Sequence, residues 1–506
     1  MSDSDHDILD SLVKGAGWTA IGIVVSKFLS YLYRAAIARF VGPEAYGTLS
    51  LGIMIVSFAT TISVLALNSA IKNFVPKYRA ENDEGAIKGI VTSAFEISLP
   101  VSLLASASIF LLAEKISLGI FNAPSLIPVL KVFALVPPFA VVSQHSFALT
   151  LAYRKAKYEV LTRRVLQNLI QLLVSVALII GSLGVVGAAI GWLAGSAVSA
   201  VIGLYIMEKK FGPVLTSKIK GRREYSKIFH YSYPLVLSGA IATVLGWTDT
   251  AFIGYYMDES AVGLYNAALP TAFLMMMPYT AFSTLAMPSM SEVLERDDKS
   301  LSNILKTLTR WTFTVSFPMF VLMALFSEQV LHILFGAPYR EAALSLTILS
   351  FGYLYSTAVG HLDNVIKALD HTDILFKNAL INFVVNIGLN IYLIPLYGIV
   401  GGAIATTVSI IVAETMLLIE VYHFKKVYPF SKDSVKPVLA AVPALLIVYA
   451  GLNLTFETVP LWALIPGGTV FTLIYGFGVL KTGLLKDEEL KRLKSEAGNL
   501  KNRIGL

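Results

Sequence analysis

Along this chain, long apolar runs alternate with short polar connections. Runs of spanning length fall near 15–40, 48–71, 90–113, 127–152, 165–182, 186–207, 232–256, 263–288, 308–326, 341–366, 374–394, 399–421, 435–452 and 460–481. Each is long enough, as a helix, to cross a hydrocarbon core of about 30 Å. The pattern predicts an all-α polytopic membrane protein of about fourteen transmembrane helices. Ser182-Leu183-Gly184 splits 165–207, and Pro395-Leu396-Tyr397-Gly398 splits 374–421, so both stretches are expected to fold as tight helical hairpins.

Composition strengthens that reading. The 506 residues are 56% hydrophobic and 14% charged, with a mean hydropathy of +0.70. With no cysteine, disulfides, thiolate metal sites and cysteine nucleophiles are excluded. Residues 1–10 are acidic, and 15–40 is too long and too charged for a signal peptide, so the segment is expected to be retained. The formal charge of +7 reflects orientation rather than nucleic-acid binding. Segments 72–88, 153–164, 208–231, 291–310, 367–377, 423–436 and 481–506, with Lys14, hold about 34 of the 40 basic residues. The alternate loops hold only Lys115 and Arg340. Both termini are therefore expected in the cytoplasm of a cell-membrane protein. The outer loops are mostly under about 15 residues, too short for a soluble catalytic domain. Residues 485–506 read as a charged, partly amphipathic tail.

The chain also repeats itself. Ile37-Ala38-Arg39-Phe40-Val41-Gly42-Pro43-Glu44-Ala45-Tyr46-Gly47 aligns with Ile253 to Gly263 at an offset of 216. Asn168 and Gly184-Val185-Val186-Gly187-Ala188-Ala189-Ile190 align with Asn382 and Gly398-Ile399-Val400-Gly401-Gly402-Ala403-Ile404 at 214. An offset of six helices makes the halves parallel repeats, a form common among alternating-access transporters. The expected division is an N-terminal lobe at 1–210, a C-terminal lobe at 211–425, a two-helix appendage at 426–484 and the tail at 485–506. Pro270, Pro278 and Pro288, with Met275-Met276-Met277 among them, predict a bent eighth helix.

Charges inside the spans carry the candidate chemistry. Lys27 sits near the middle of the first helix and Arg34 lies seven residues on, on the same face. A cation at mid-span costs about 2.5–3.5 kcal/mol, so this face should line a protein interior or a watery cavity. Arg39 is nearer the outer end, where it either joins them or snorkels to headgroups, and Lys131 lies at the outer rim. Asp249, in the seventh helix, is the repeat mate of Tyr33, which predicts a gate in which Asp249 pairs with Arg34 or Arg39; a partner within its own half is the alternative. Glu96 reads as an ion-coupling carboxylate or an interhelical acceptor, and Glu414 as a second coupling candidate. His361, Asp363 and Lys367 form an expected interfacial cluster. Asn68, Asn266, Asn386, Asn390 and Gln144 read first as interhelical hydrogen-bonders. Asn453-Leu454-Thr455 is a sequon on an expected outer loop.

These residues carry a family resemblance. Arg34 with Arg39 to Gly47 resembles the first-helix ending of the polysaccharide transporter family, and Asp249 with Ile253-Gly254 and Val262-Gly263-Leu264-Tyr265-Asn266 resembles its seventh-helix ending. Asn382, Pro395 and Gly398 to Ala403 resemble its eleventh-to-twelfth hairpin. This family belongs to the superfamily that also holds MATE antiporters and flippases of lipid-linked peptidoglycan precursors. The resemblance implies two six-helix lobes in a V and translocation of polyprenyl- or dolichyl-diphosphate-linked glycans from the cytoplasmic to the outer leaflet. A monomer is the family expectation.

Residue chemistry agrees with that implication, because a diphosphate-linked sugar is an anion that calls for cationic hydrogen-bond donors. A cation-coupled multidrug antiporter would need buried carboxylates, and the first helix has no Asp or Glu between Gly15 and Phe40; Asp249, Glu96 and Glu414 keep that alternative open. A membrane glycosyltransferase or polymerase would need an outer loop that organises a catalytic acid or base. The chain has no phosphate-binding Gly-x-x-x-x-Gly-Lys-Ser/Thr loop. No enzyme activity, cofactor or metal is expected, and the driving force would come from an ion gradient (Na⁺ or H⁺), membrane potential or consumption of the lipid.

Overall fold

The computed structural model describes residues 3–212, 214–216, 219–283, 290, 298–455, 460 and 463–482, all helices and their connections. Pro288 and the tail at 485–506 lie outside them. Ten helical stretches among the described residues are long and apolar enough to span a membrane. Three of these, Val25–Ala80, Ala156–Lys210 and Asp373–Lys425, run 56, 55 and 53 residues, more than twice what one crossing needs. Taking each limb of these three as its own span gives thirteen crossings among the described residues; the fourteenth expected from the sequence, at 460–481, is not among the ten stretches.

All three are interrupted where the backbone turns left-handed. Gly42 sits at φ 82°, Ser182 at φ 68° with Gly184 at φ 51°, and Gly398 at φ 59°. Two of the breaks fall in the hairpins expected at 182–184 and 395–398, where glycine relieves the Cβ clash that other residues would meet. Small residues then close the second hairpin limb onto the first. A Cβ at Gly187, Gly191 or Gly195, one per helical turn, would strike Leu178, Ser175 or Gln171 across the interface.

The chain forms two compact units. The first comprises Met1–Ala267, Leu334–Tyr339 and Asn390–Gly402. It holds α1 (Asp3–Val64), α2 (Leu67–Ala80), α3 (Glu84–Gly119), α4 (Leu126–Phe133), α5 (Val136–Ala152), α6 (Ala156–Glu159), α7 (Gln167–Leu178), α8 (Gly184–Lys210) and α9 (Tyr225–Tyr256). Between α6 and α7 the chain winds as a π-helix over Val160–Leu166. A core of Ile71, Val75, Ile90, Phe95, Leu149 and Ile228 ties α2, α3, α5 and α9 together. The seventh span, α9, thus packs against α1, α2 and α3.

The second unit takes Ala268–Ile333, Arg340–Leu389 and Ala403–Leu506. One of its cores joins Leu301, Leu305, Val359, Val365 and Val421. In another, Ala440, Ala444 and Val448 of the Lys436–Thr455 helix pack with Phe471, Tyr475 and Val479 of the Leu464–Lys481 helix. The helix at Glu259–Phe273, with Pro270 inside it, tightens into a 3-10 turn at Leu274–Met276, where Met275 is fully buried. The Asn453-Leu454-Thr455 triplet closes the Lys436–Thr455 helix instead of lying in a loop.

Candidate functional site

Two adjoining polar cavities open inside the first unit, of about 300 and 350 Å³. Arg163, Gln167 and Trp192 line both. The first adds Ser57, Thr60 and Thr61 of α1 and Ser143 and Gln144 of α5. Ser26 and Ser30 of α1, with Glu159, Arg164, Asn168 and Gln171, line the second. Trp192 is braced edge-on by Tyr33 and Phe133, at ring-centroid distances of 5.8 and 6.4 Å.

The charges come from the π-helical segment, a type of turn often found at functional sites. Arg163 and Arg164 share Glu159 Oε1, at 3.6 and 3.3 Å, and Glu159 itself is buried. Two guanidiniums on one carboxylate leave one positive charge over. Among the described residues, Arg164 Nε is buried with no hydrogen-bond partner. The lining thus offers a cation, amides, hydroxyls and an indole, which suits a polar anion and disfavours an organic cation.

The sequence placed Arg163 and Arg164 in a connecting segment, because charge density alone cannot tell a loop from a polar helical face. Neither Lys27 nor Arg34 lines these two cavities. Lys27 is half-buried and Arg39 exposed, and Arg34 lies within hydrogen-bonding reach of the Tyr46 hydroxyl. Asp249 is buried, accepting from Tyr265 Oη at 2.5 Å and Asn390 Nδ2 at 2.7 Å. Glu96 accepts from Arg223 Nε and Nη2 at 2.9 and 2.7 Å and from Tyr225 Oη at 2.5 Å. Asn68 meets Gln144 at 3.4 Å, Asn266 meets Thr250 at 3.1 Å, and Asn386 meets Thr406 at 3.2 Å.

In the second unit, Glu414 accepts from Ser356 at 2.5 Å, and Lys367 pairs with Asp363 at 2.6 Å. Asp363 also accepts from Tyr279. His361 departs from the expected ionic cluster: fully buried, it shares a hydrogen bond with Thr312 at 2.9 Å and stacks on Tyr279.

The repeat reappears as contacts. A Cβ on Gly47 would collide with the Glu259 carbonyl and the Gly263 nitrogen, and a Cβ on Gly263 with the Pro43 carbonyl and the Gly47 nitrogen. Pro43 and Glu259 are mates at the same offset of 216, so the contact is reciprocal, as across a two-fold axis. Phe121-Asn122-Ala123-Pro124 and Phe335-Gly336-Ala337-Pro338 are a further pair, at 214, which the sequence reading passed over. Each caps the other half's helix end: Phe121 lies under Gly254, and Tyr339 Oη donates to the Ala38 carbonyl at 3.0 Å. Ser125 Oγ reaches Glu259 Oε1 at 3.1 Å. His145, bonded to Ser98 at 2.8 Å, is the mate of His361 at 216, and that offset was the signal available for it.

At the opposite end of α9, the strap at 219–224 crosses the start of α3. Arg222 N donates to the Gly85 carbonyl at 3.1 Å, and a Cβ on Gly89 would strike the Arg222 carbonyl. Glu224 accepts from Tyr78 Oη at 2.5 Å and Arg222 Nε at 2.9 Å, with Lys227 Nζ at 3.2 Å. Burial pushes this carboxyl up, and the hydrogen bonds from Tyr78, Lys227 and Arg222 outweigh it, holding the group below the usual carboxylate range.

The sequence profile of a family described as "Polysaccharide biosynthesis protein" matches residues 36–344. The chain belongs to that family. The probable flippase AglR of Haloferax volcanii is 27% identical over 254 residues, 48% of this chain and 51% of its own length. Among solved structures, the lipid II flippase MurJ in an inward closed conformation superposes with a TM-score of 0.72 at 19% identity, covering 92% of this chain and 98% of MurJ. An inward-facing multidrug-resistance MATE transporter gives 0.67 at 15% identity, covering 78% and 94%. These likenesses fix the transporter fold of a multi-pass membrane protein.

Proposed function

We propose that this protein is a flippase that moves a lipid-diphosphate-linked oligosaccharide or polysaccharide precursor from the cytoplasmic to the outer leaflet by alternating access, without enzymatic turnover. The observation that carries this reading is the cavity at Arg163, Arg164 and Trp192. Its net positive charge, amides and hydroxyls match an anionic sugar conjugate, and they would repel the lipophilic cations of a multidrug antiporter. Family membership and a flippase-named relative support it. In this reading Arg163 contacts the anionic or sugar portion first, and Lys27 and Arg34 line the rest of the path. Asp249, Glu96 and Glu414 act in gating or coupling to Na⁺ or H⁺. The protein works as a monomer in the cell membrane with both termini cytoplasmic.

The test is leaflet translocation in proteoliposomes with a fluorescent diphosphate-linked oligosaccharide. Wild type is expected to translocate it, while Arg163→Ala, Lys27→Ala and Arg34→Ala, each checked for monodisperse elution, lose the activity. Wild type that fails there but expels a lipophilic cation against a Na⁺ or H⁺ gradient would install the antiporter instead.

A further inference from the structure

A third polar cavity, of about 440 Å³, lies in the first unit where two spanning-length helical stretches end. Its walls are Pro76, Arg79 and Ala80 at the end of α2, and Ala152, Tyr153, Arg154 and Lys155 just beyond α5. Val25–Ala80 and Leu126–Ala152 are the spanning-length stretches that end there, so the cavity borders two span ends. Among the described residues, no acidic side chain lines it. Arg79, Arg154 and Lys155 are exposed, and none is in an ion pair among the described residues. Elsewhere in the same unit, Arg163, Arg164, Arg222, Arg223 and Lys227 each have a carboxylate.

The site is also held in shape. The Arg79 guanidinium lies 4.7 Å from the Tyr153 ring centroid, which fixes a long side chain beside the opening. Arg154 takes a left-handed backbone, φ 58°, and Lys155 N closes the turn on the Thr150 carbonyl at 2.9 Å. This turn brings Arg154 and Lys155 to the cavity that Arg79 borders. Tyr153 also lines a neighbouring cavity whose charges, Glu84 and Lys88, offset one another, so the excess is confined to one side.

We propose that this basic cavity binds the phosphate headgroup of an anionic membrane phospholipid. Three cations unmatched by carboxylates, between two span ends, form the surface that such a phosphate seeks, and the lipid's acyl chains would lie along the spans. The site is separate from the cavity at Arg163, and its occupancy does not depend on what the protein transports.

Native mass spectrometry of the full chain in detergent, titrated with dioleoylphosphatidylglycerol, tests this. Wild type should bind it in preference to dioleoylphosphatidylcholine. Arg79→Gln with Lys155→Gln should weaken binding about 30-fold, as expected for two surface cations. Lys209→Gln with Lys210→Gln removes the same charge at the end of α8 and should leave binding unchanged. Arg154→Asn, which tolerates the left-handed turn, supplies a second variant if the first does not fold. Equal binding by the variants, equal loss in the Lys209/Lys210 control, or equal uptake of phosphatidylcholine would overturn the proposal. Displacement of the lipid by millimolar inorganic phosphate would overturn it too, by making the cavity a site for free anions.

Discussion

Arg163 and Arg164 divide the work of one carboxylate, and that arrangement has consequences at single residues. Glu159→Gln leaves two guanidiniums close together without a counter-charge, so we expect it to destabilise the protein in thermal unfolding while raising affinity for an anionic substrate. Arg163→Gln keeps the volume and removes the charge; translocation should fall about tenfold, the weight of one charge-assisted hydrogen bond, with monodisperse elution retained. Asp249 is a separate case. If it opens and closes against Arg34 or Arg39, the swap Arg34→Asp with Asp249→Arg should recover translocation lost in each single variant. Failure to recover would leave Asp249 as the acceptor that Tyr265 and Asn390 hold. The cavity arginines were hidden in the sequence because a π-helical face and a basic loop share one composition.

Helix contacts set by missing side chains dominate the next scale. Gly47 and Gly263 let two helix ends meet backbone to backbone, and any Cβ forces them apart. Gly47→Ala and Gly263→Ala should each cost about 1–3 kcal/mol, read as a lower unfolding midpoint, whereas Gly42→Ala meets open space and is penalised only through its φ of 82°. The strap near Glu224 gives a pH signature. Its carboxyl titrates below the usual range when folded, so its contribution is complete above the unfolded value of about 4.3 and lost as pH falls through the folded one. Thermal unfolding scanned downward from pH 6 should show this acid loss, and Glu224→Gln should flatten it. The hairpins at 182–184 and 395–398 were legible because Gly and Pro act locally; the strap was not, since its docking depends on Gly89 lying more than a hundred residues earlier.

At the largest scale, the sequence repeat is matched inside the first unit by reciprocal contacts at Gly47, Gly263, Phe121 and Tyr339, while a bidentate Glu96–Arg223 pair joins α3 to the strap before α9. A protein working by alternating access must release one of these closures at a time. The chain has no native cysteine, so paired ones can be introduced without background. Bridging Glu96→Cys and Arg223→Cys with a short cleavable thiol crosslinker is expected to stop translocation in proteoliposomes, and cleavage to restore it. Unchanged translocation in the crosslinked protein would show that this end need not open.

Hydropathy and charge determined, by themselves, that the chain is helical, crosses a membrane many times and carries its basic residues in alternate connections. Each of these follows from a solvation cost that every residue meets on its own, whatever its neighbours. The constant offsets near 215 likewise exposed the duplication, because a repeat is a property of order along the chain. Tertiary structure alone decided the partners. It brought Arg163 and Arg164 to the cavity that Trp192 also lines, matched Glu96 with Arg223 across 127 residues, and set Gly47 on Gly263. Such choices depend on distances of a few ångströms between distant segments, and these exist only once the helices have packed.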